Sequence, residues 1–182
     1  MHLLEIDEII DAHGRLKKEE MSFDKILQSE GGFQGLFAKY RSQGLSVEKE
    51  VEKFLKAESG LFSIARFTVA KVGDGYAELT FPFSQEVARH GGMVHGGIIS
   101  FALDNVGGIA VMTKNSGIDQ VTLELKINFL EPLKKEPYTV KGEVLRHGRI
   151  TSVAEAELRD GDGKLCAKAL GTWYMIHERR TG

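Results

Sequence analysis

The sequence predicts an α+β fold: an antiparallel sheet packed on one long apolar helix, with a helical extension at the N-terminus. Three observations carry this reading. The hydrophobic period changes from helical to alternating near residue 60. A nearly apolar helix over 96–113 is preceded by two strand-like runs and followed by four, an order that excludes an alternating parallel α/β unit. Glycine and aspartate clusters separate the later runs closely, as tight antiparallel connections require.

Residues 1–58 form the predicted extension, and 59–178 the predicted main domain. Leu4, Ile6, Ile9 and Ile10 recur at helical spacing, as do Val47, Val51, Phe54 and Leu55. Ser46 is placed to cap the second of these helices. Glu48, Glu50 and Glu52 fall early in it and Lys53 and Lys56 late, which suits the helix dipole, although Lys49 runs against the trend. Between the two helices, Gly31, Gly32, Gly35 and Gly44 predict shorter pieces. Helices this short are marginal alone, so the extension is expected to pack on the rest.

From Leu61 the period is two. Phe62, Ile64, Phe67 and Val69 lead into a Gly73-Asp74-Gly75 turn and a return strand, predicting a hairpin over 61–83. After the helix come strands at about 120–131, 137–146, 150–159 and 164–176. Gly148 and the stretch Asp160-Gly161-Asp162-Gly163 supply turns between them.

Composition narrows the function. The 182 residues are 42% hydrophobic and 27% charged, ordinary for a globular protein. A formal charge of −2 gives no nucleic-acid footprint. No apolar run reaches the roughly 18 residues of a membrane span, and the N-terminus lacks the layout of a signal peptide. Cys166, the single cysteine, allows no intrachain disulfide. The expected setting is the cytoplasm, without nucleic-acid or membrane partners. As a nucleophile Cys166 is a weak candidate, because it sits in a strand-like run. Histidines and acids show no metal-ligand spacing, so no metal is expected.

Chemistry concentrates in RHGGMVHGGIISFALDNVGG, residues 89–108. Ile98, Ile99, Phe101, Leu103, Val106 and Ile109 surround one acid, Asp104. A helix apolar on all sides must be covered by the extension, a second subunit or both. Asp104 shares a face with Gly97, Ser100, Phe101, Gly107 and Gly108. Glycines inside a helix cost about 1 kcal/mol each, so the adjacent pair needs a reason: close packing, or room for a substrate. The acid has two readings as well. It could hydrogen-bond structurally, or serve as general base or nucleophile in a partly apolar cleft. Gly91-Gly92 and Gly96-Gly97 flank His95 at the helix start, where backbone N–H groups lack helical partners and can hold an oxygen that becomes negative.

The pattern His95-Gly96-Gly97, Asp104 nine residues after His95, Val121-Thr122-Leu123-Glu124, Asn128-Phe129 and Pro132 resembles the hot-dog acyl-CoA thioesterases. The resemblance covers about 60–177. It is most similar to the phenylacetate-pathway type within the 4-hydroxybenzoyl-CoA thioesterase superfamily. It implies a sheet wrapped around the long helix and subunits pairing into a dimer or dimer of dimers. Active sites would lie at the subunit interface, with no cofactor beyond the coenzyme A of the substrate. It casts Asp104 as base or nucleophile, the Gly96 N–H as carbonyl donor, His95 as the residue orienting the turn, and Thr122 as a hydroxyl near the acid. Gly97 and Glu124 join the substrate-binding set. Phe129, Leu130, Pro132 and Lys134, and the turn Arg146-His147-Gly148-Arg149, match regions that line CoA. Arginines suit its phosphates, though the same turn could be an ordinary solvated hairpin. The chain departs from the pattern at Arg89, where many members have asparagine six residues before the histidine. Arg89 or the adjacent His90 would then meet the carbonyl, a water or a CoA phosphate.

Two other functions fit the same fold. One is an acyl-CoA-binding regulator that does not hydrolyse its ligand. Nine basic against twelve acidic residues in 1–58, a formal charge of −3, argue against a nucleic-acid-binding extension. The other is a hydratase or dehydratase, which the His95-to-Asp104 spacing suits less well.

Overall fold

A computed structural model describes residues 20–178, with side-chain surroundings from residue 23 onward. The expected helix around Leu4–Ile10 lies outside the described residues. Helices α1 (Glu20–Glu30), α2 (Gly32–Ser42), α3 (Val47–Glu58) and α4 (Gly60–Ile64) come first. Strands β1 (Thr68–Gly73) and β2 (Tyr76–Phe81) follow, then a short hairpin of β3 (Ala88–Arg89) and β4 (Met93–Val94). Next come the central helix α5 (Gly96–Met112) and strands β5 (Asp119–Phe129), β6 (Tyr138–His147), β7 (Thr151–Arg159) and β8 (Leu165–Ile176).

The six long strands form one antiparallel sheet in the order β1-β2-β6-β7-β8-β5, with α5 against its inner face. Alternation along β2 and β7 explains the packing: Ala77, Leu79 and Phe81, and Ala154, Ala156 and Leu158, point inward onto α5 and are buried. Outward positions carry several charges, some paired across strands, as Lys168 with Glu155 at 2.9 Å. No helix among the described residues is long and apolar enough to cross a membrane.

The predicted hairpin over 61–83 is corrected at its first residues, which form α4. This helix ends in a left-handed residue, Arg66, at φ 57°. Phe67 N–H donates to the Phe62 carbonyl at 3.1 Å and Arg66 N–H to that of Ser63 at 3.0 Å, while the Phe62 and Phe67 rings meet at 5.3 Å. That is a Schellman stop with its apolar contact. Its left-handed position usually carries glycine, so arginine hid it. Upstream, the glycines divide two full eleven-residue helices rather than shorter pieces. Gly31 and Gly32 (φ 80° and 81°) separate them, and Gly44 (φ 75°) ends the second.

Ser46 caps α3, accepting from Lys49 N–H. The early acids of α3 do more than meet its dipole. Glu52 accepts from Val69 N–H at 2.9 Å and Glu48 from Val72 N–H at 3.1 Å. Those donors lie on β1, an edge strand, so α3 covers an edge that would otherwise stay open. At the other edge β5 pairs only with β8, and Val121, Leu123 and Phe129 are 44%, 60% and 55% exposed on it.

Candidate active site

The start of α5 accounts for its own donors almost completely. His95 caps it in an extended conformation, and its Nδ1 accepts from Gly97 N–H at 2.9 Å. Ile98 and Ile99 donate to the His95 carbonyl at 3.0 and 3.3 Å. Gly96 N–H alone in this first turn has no partner among the described residues. The Phe129 ring stands 3.7 Å from where a Cβ on Gly96 would be. An unmatched N–H at a helix N-terminus beside an aromatic wall can receive a carbonyl oxygen.

The β3–β4 hairpin leads into this turn. Gly91 and Gly92 adopt φ of 93° and 72°, which brings the chain back so that His95 N–H donates to the Val87 carbonyl at 2.8 Å. Arg89 folds over its own turn, donating to the His90 carbonyl at 3.1 Å. Within one chain neither Arg89 nor the exposed His90 is bonded to Asp104.

Most of α5 is buried, but a stripe of Gly97, Ser100, Phe101, Asp104 and Asn105 remains open or half-open. Thr122 Oγ1 on β5 donates to Asp104 Oδ1 at 2.8 Å. A bulge between Thr122 and Glu124 leaves the exposed Leu123 unpaired and bends the edge strand at this point. Burial pushes the Asp104 carboxyl above its ordinary value, and the Thr122 hydroxyl opposes that shift.

Asp104 and Thr122 open into a cleft of about 170 Å³. Gly108 and Trp173 form one side; Phe33, Phe54 and Glu58 of the N-terminal helices form another. Glu58 has its carboxyl held up by desolvation and by the neighbouring Asp119. Gln120 Nε2 fastens the floor by donating to the Gly108 carbonyl at 2.7 Å. Gly107 has a packing reason: a Cβ there would lie 2.5 Å from Trp173 Cη2.

The remaining predicted residues divide between the two ends of α5. Phe129 adjoins its start, and Leu130 N–H donates to the Cys166 carbonyl at 2.9 Å. Pro132 and Lys134 continue outward, exposed, and Glu124 is exposed beyond the bulge. The turn Arg146–Arg149 belongs with the opposite end. His147, bonded to Ser152 at 2.7 Å, is pushed down by burial and by Lys114, just past the end of α5. Gly148 N–H closes the turn onto the Thr151 carbonyl at 2.8 Å, and Arg146 and Arg149 face solvent. One chain therefore does not bring the two basic regions together. Cys166 is buried with its thiol pushed up by desolvation, the state of an inert strand residue. Sequence reasoning missed Phe33, Phe54, Glu58, Gln120 and Trp173. Only Trp173 had a signal, as the large residue that two adjacent helix glycines accommodate.

Residues 91–167 match the sequence profile of the thioesterase superfamily. A protein of Saccharolobus solfataricus named "Putative esterase" is 45% identical over 131 residues, 72% of this chain and 94% of its own length. A solved thioesterase family protein from Silicibacter pomeroyi superposes with a TM-score of 0.62 at 26% identity, over 66% of this chain and 91% of that one. A Streptococcus pneumoniae structure described as a "Hypothetical Thioesterase Protein with Coenzyme A" gives 0.57 at 29%, over 63% and 91%. The chain belongs to the thioesterase superfamily and has its hot-dog fold.

Proposed function

We propose that this protein hydrolyses an acyl-CoA thioester to a free carboxylic acid and CoA. The observation that carries the reading is the half-buried Asp104, bonded to the exposed Thr122 and opening into a cleft, on a helix whose first N–H is unmatched. Coenzyme A in the S. pneumoniae relative supports the choice of thioester. The His95-Gly96-Gly97 to Asp104 spacing favours the phenylacetate-pathway type, with 1–58 as the extension and 59–178 as the hot-dog domain.

In the proposed reaction, Gly96 N–H donates to the thioester oxygen. Asp104 takes a proton from water, whose oxygen adds to the carbonyl carbon. The C–S bond then breaks and the CoA sulfur leaves with a proton. In the second route Asp104 adds directly to the carbonyl carbon, the C–S bond breaks and CoA leaves as the thiol with a proton from water, and a second water opens the resulting anhydride. His95 orients the turn. No metal or cofactor takes part.

Gly96 and Asp104 lie eight residues apart, about 12 Å along one helix. A second copy laid antiparallel across the open stripe, centred at Ser100, sets Gly96 of one chain opposite Asp104 of the other. The open β5 edge, with its exposed Val121 and Leu123, supports the same pairing, because long apolar edges are normally covered. Pairing also offers the means to gather Arg89, Lys134, Arg146 and Arg149 around CoA phosphates.

The test is thiol release from a panel of acyl-CoAs, with and without chelator, by wild type and Asp104→Ala. Chelator-insensitive release by wild type, nearly abolished in the variant, is expected. Full activity in Asp104→Ala, or binding without release by wild type, defeats the proposal. In a single turnover in H₂¹⁸O, label incorporated into Asp104 marks an anhydride opened at the aspartyl carbonyl.

A further inference from the structure

Resting on the thioesterase reading, we infer that Phe54 and Phe33 of the N-terminal helices set the size of the acyl group. About 50 of the 182 residues fall outside the 131-residue match to the S. solfataricus relative, which is itself matched over 94% of its length. A span of 131 residues within 182 begins by residue 52, so Phe54 lies inside the shared part, and the structure shows what the helices on either side of that point contribute.

Phe33 and Phe54 line the cleft that holds Asp104. With Met112 they also line a second, wholly apolar void of about 10 Å³, on the side of Leu36, Tyr40 and Val51. The three side chains thus separate the catalytic cleft from the interior of the helical layer. Phe23 backs them: its ring lies 5.5 Å from Phe54, stacked, and 6.2 Å from Phe33 edge-on, while Phe33 and Phe54 lie 6.4 Å apart. Mutually packed rings of this kind resist displacement.

The layer is also fastened to the domain. Besides the Glu48 and Glu52 bonds to β1, Gln34 N–H donates to the Asn115 carbonyl at 2.9 Å, just beyond α5. A Cβ on Gly32 would strike the Ser116 backbone at 2.2 Å, so α2 meets this loop directly. The wall cannot swing away without breaking these contacts.

A cleft of about 170 Å³ is close to the roughly 150 Å³ cavity that admits benzene in another protein. The acyl group that fits is one six-membered ring or a chain of about six carbons. Longer chains meet Phe54. Removing its ring joins the cleft to the void behind and lets the chain extend into the apolar helical layer.

The experiment measures kcat/KM for acetyl-, butyryl-, hexanoyl-, benzoyl-, decanoyl- and palmitoyl-CoA with wild type, Phe54→Ala, Phe54→Leu and Phe54→Trp. Far-UV circular dichroism and thermal melting accompany each variant. Wild type is expected to fall at least about tenfold from hexanoyl to decanoyl, within the range that pocket methylenes discriminate. Phe54→Ala should raise the decanoyl-to-hexanoyl ratio at least about tenfold, Phe54→Leu less, and Phe54→Trp should favour acetyl over hexanoyl. If Phe54→Ala does not fold, the Leu and Trp variants decide by their opposite shifts. A wild type equally active on palmitoyl-CoA, or folded variants with an unchanged ratio, overturns the wall and leaves the thioesterase reading intact. A wild type that releases no thiol from any member overturns that reading and the wall with it.

Discussion

Thr122 Oγ1 donates to Asp104 Oδ1 across 2.8 Å, tying the open edge strand to the central helix at the one acid the helix contains. Thr122 sits beside the strand bulge and Asp104 on the half-open stripe, so two irregular features meet at one bond. Burial and the hydroxyl act on the carboxyl in opposite directions.

Asp104→Asn keeps the acceptor for Thr122 and removes the base. Turnover is expected to fall roughly 10²–10⁴-fold, the usual contribution of a positioned general base. Stability should move the other way. A carboxyl whose folded pKa is raised stabilises the fold only at low pH, and that stability is lost as pH rises through the folded value. At neutral pH the amide escapes this cost, so the variant should melt higher than wild type. Thermal unfolding at pH 7 beside a turnover assay checks both halves.

Thr122→Val tests the opposing influence. Without the hydroxyl, desolvation acts on Asp104 unrelieved, and its pKa rises further. Because the ionised form is the base, the acidic limb of kcat/KM should shift to higher pH, with the plateau less affected. In wild type the limb is expected to lie above the ordinary aspartate value already. Coincident limbs in wild type and variant would remove Thr122 from the reaction.

His95 is separable in the same manner. Its Nδ1 caps α5 through Gly97 N–H, a task that asparagine performs well and alanine cannot. His95→Asn should retain most of wild-type kcat and stability. His95→Ala should lose about 1 kcal/mol of stability and lower kcat through a loosened turn. Equal, large losses of kcat in both, with stability kept in the asparagine variant, would instead give the imidazole a direct chemical part.

Much of this architecture was legible because it depends on period. Val106 and Ile109 mark the central helix, and Ala154 to Leu158 alternate on β7. Asp104 was legible as an isolated acid among apolar residues, and Thr122 through its resemblance to family members. The cleft's far wall was not. Phe33 and Phe54 read as ordinary helical core, and only the approach of α2 and α3 to α5 makes them face the acid. Long-range placement of that kind has no local signature. Arg66 illustrates a different failure: tertiary packing of Phe62 on Phe67 holds a left-handed arginine that local preference would not choose.

Glu52 tests how the helical layer is held. Its carboxylate accepts from Val69 N–H and from Lys56, so Glu52→Ala leaves an edge donor unmatched. A loss of about 1.5–3 kcal/mol is expected, typical of a charged hydrogen bond. Glu48 adds a pH dependence. Desolvation raises its carboxyl, but the bonds from its own backbone N–H, from Ser46 and from Val72, with the charge of Arg41, outweigh that and leave the pKa below its ordinary value. A depressed carboxyl stabilises the fold above the unfolded pKa and loses that contribution as pH falls through the folded one. Acidification below the usual carboxylate range should therefore release α3 from β1 early. Hydrogen exchange at Val69 and Val72, followed against pH, reads this directly.

Charge within the cleft predicts discrimination among acyl groups of equal length. Glu58, Asp104 and Asp119 line it, and no lysine, arginine or histidine is among the described lining residues. Desolvation raises the carboxyls of Glu58 and Asp104, and the charge of Asp119 raises that of Glu58 further, so an added unpaired carboxylate meets both a dry site and like charge. A terminal carboxylate about 6 Å from one of them meets roughly 2–3 kcal/mol of repulsion at an effective dielectric near 20. Succinyl-CoA should therefore be hydrolysed at least about 30-fold less efficiently than butyryl-CoA, since each 1.4 kcal/mol is tenfold. Glu58→Gln should recover part of the difference without improving butyryl-CoA, because it removes a charge that only the anionic group encounters. Equal kcat/KM for the two substrates in wild type would place the acyl group elsewhere than this cleft.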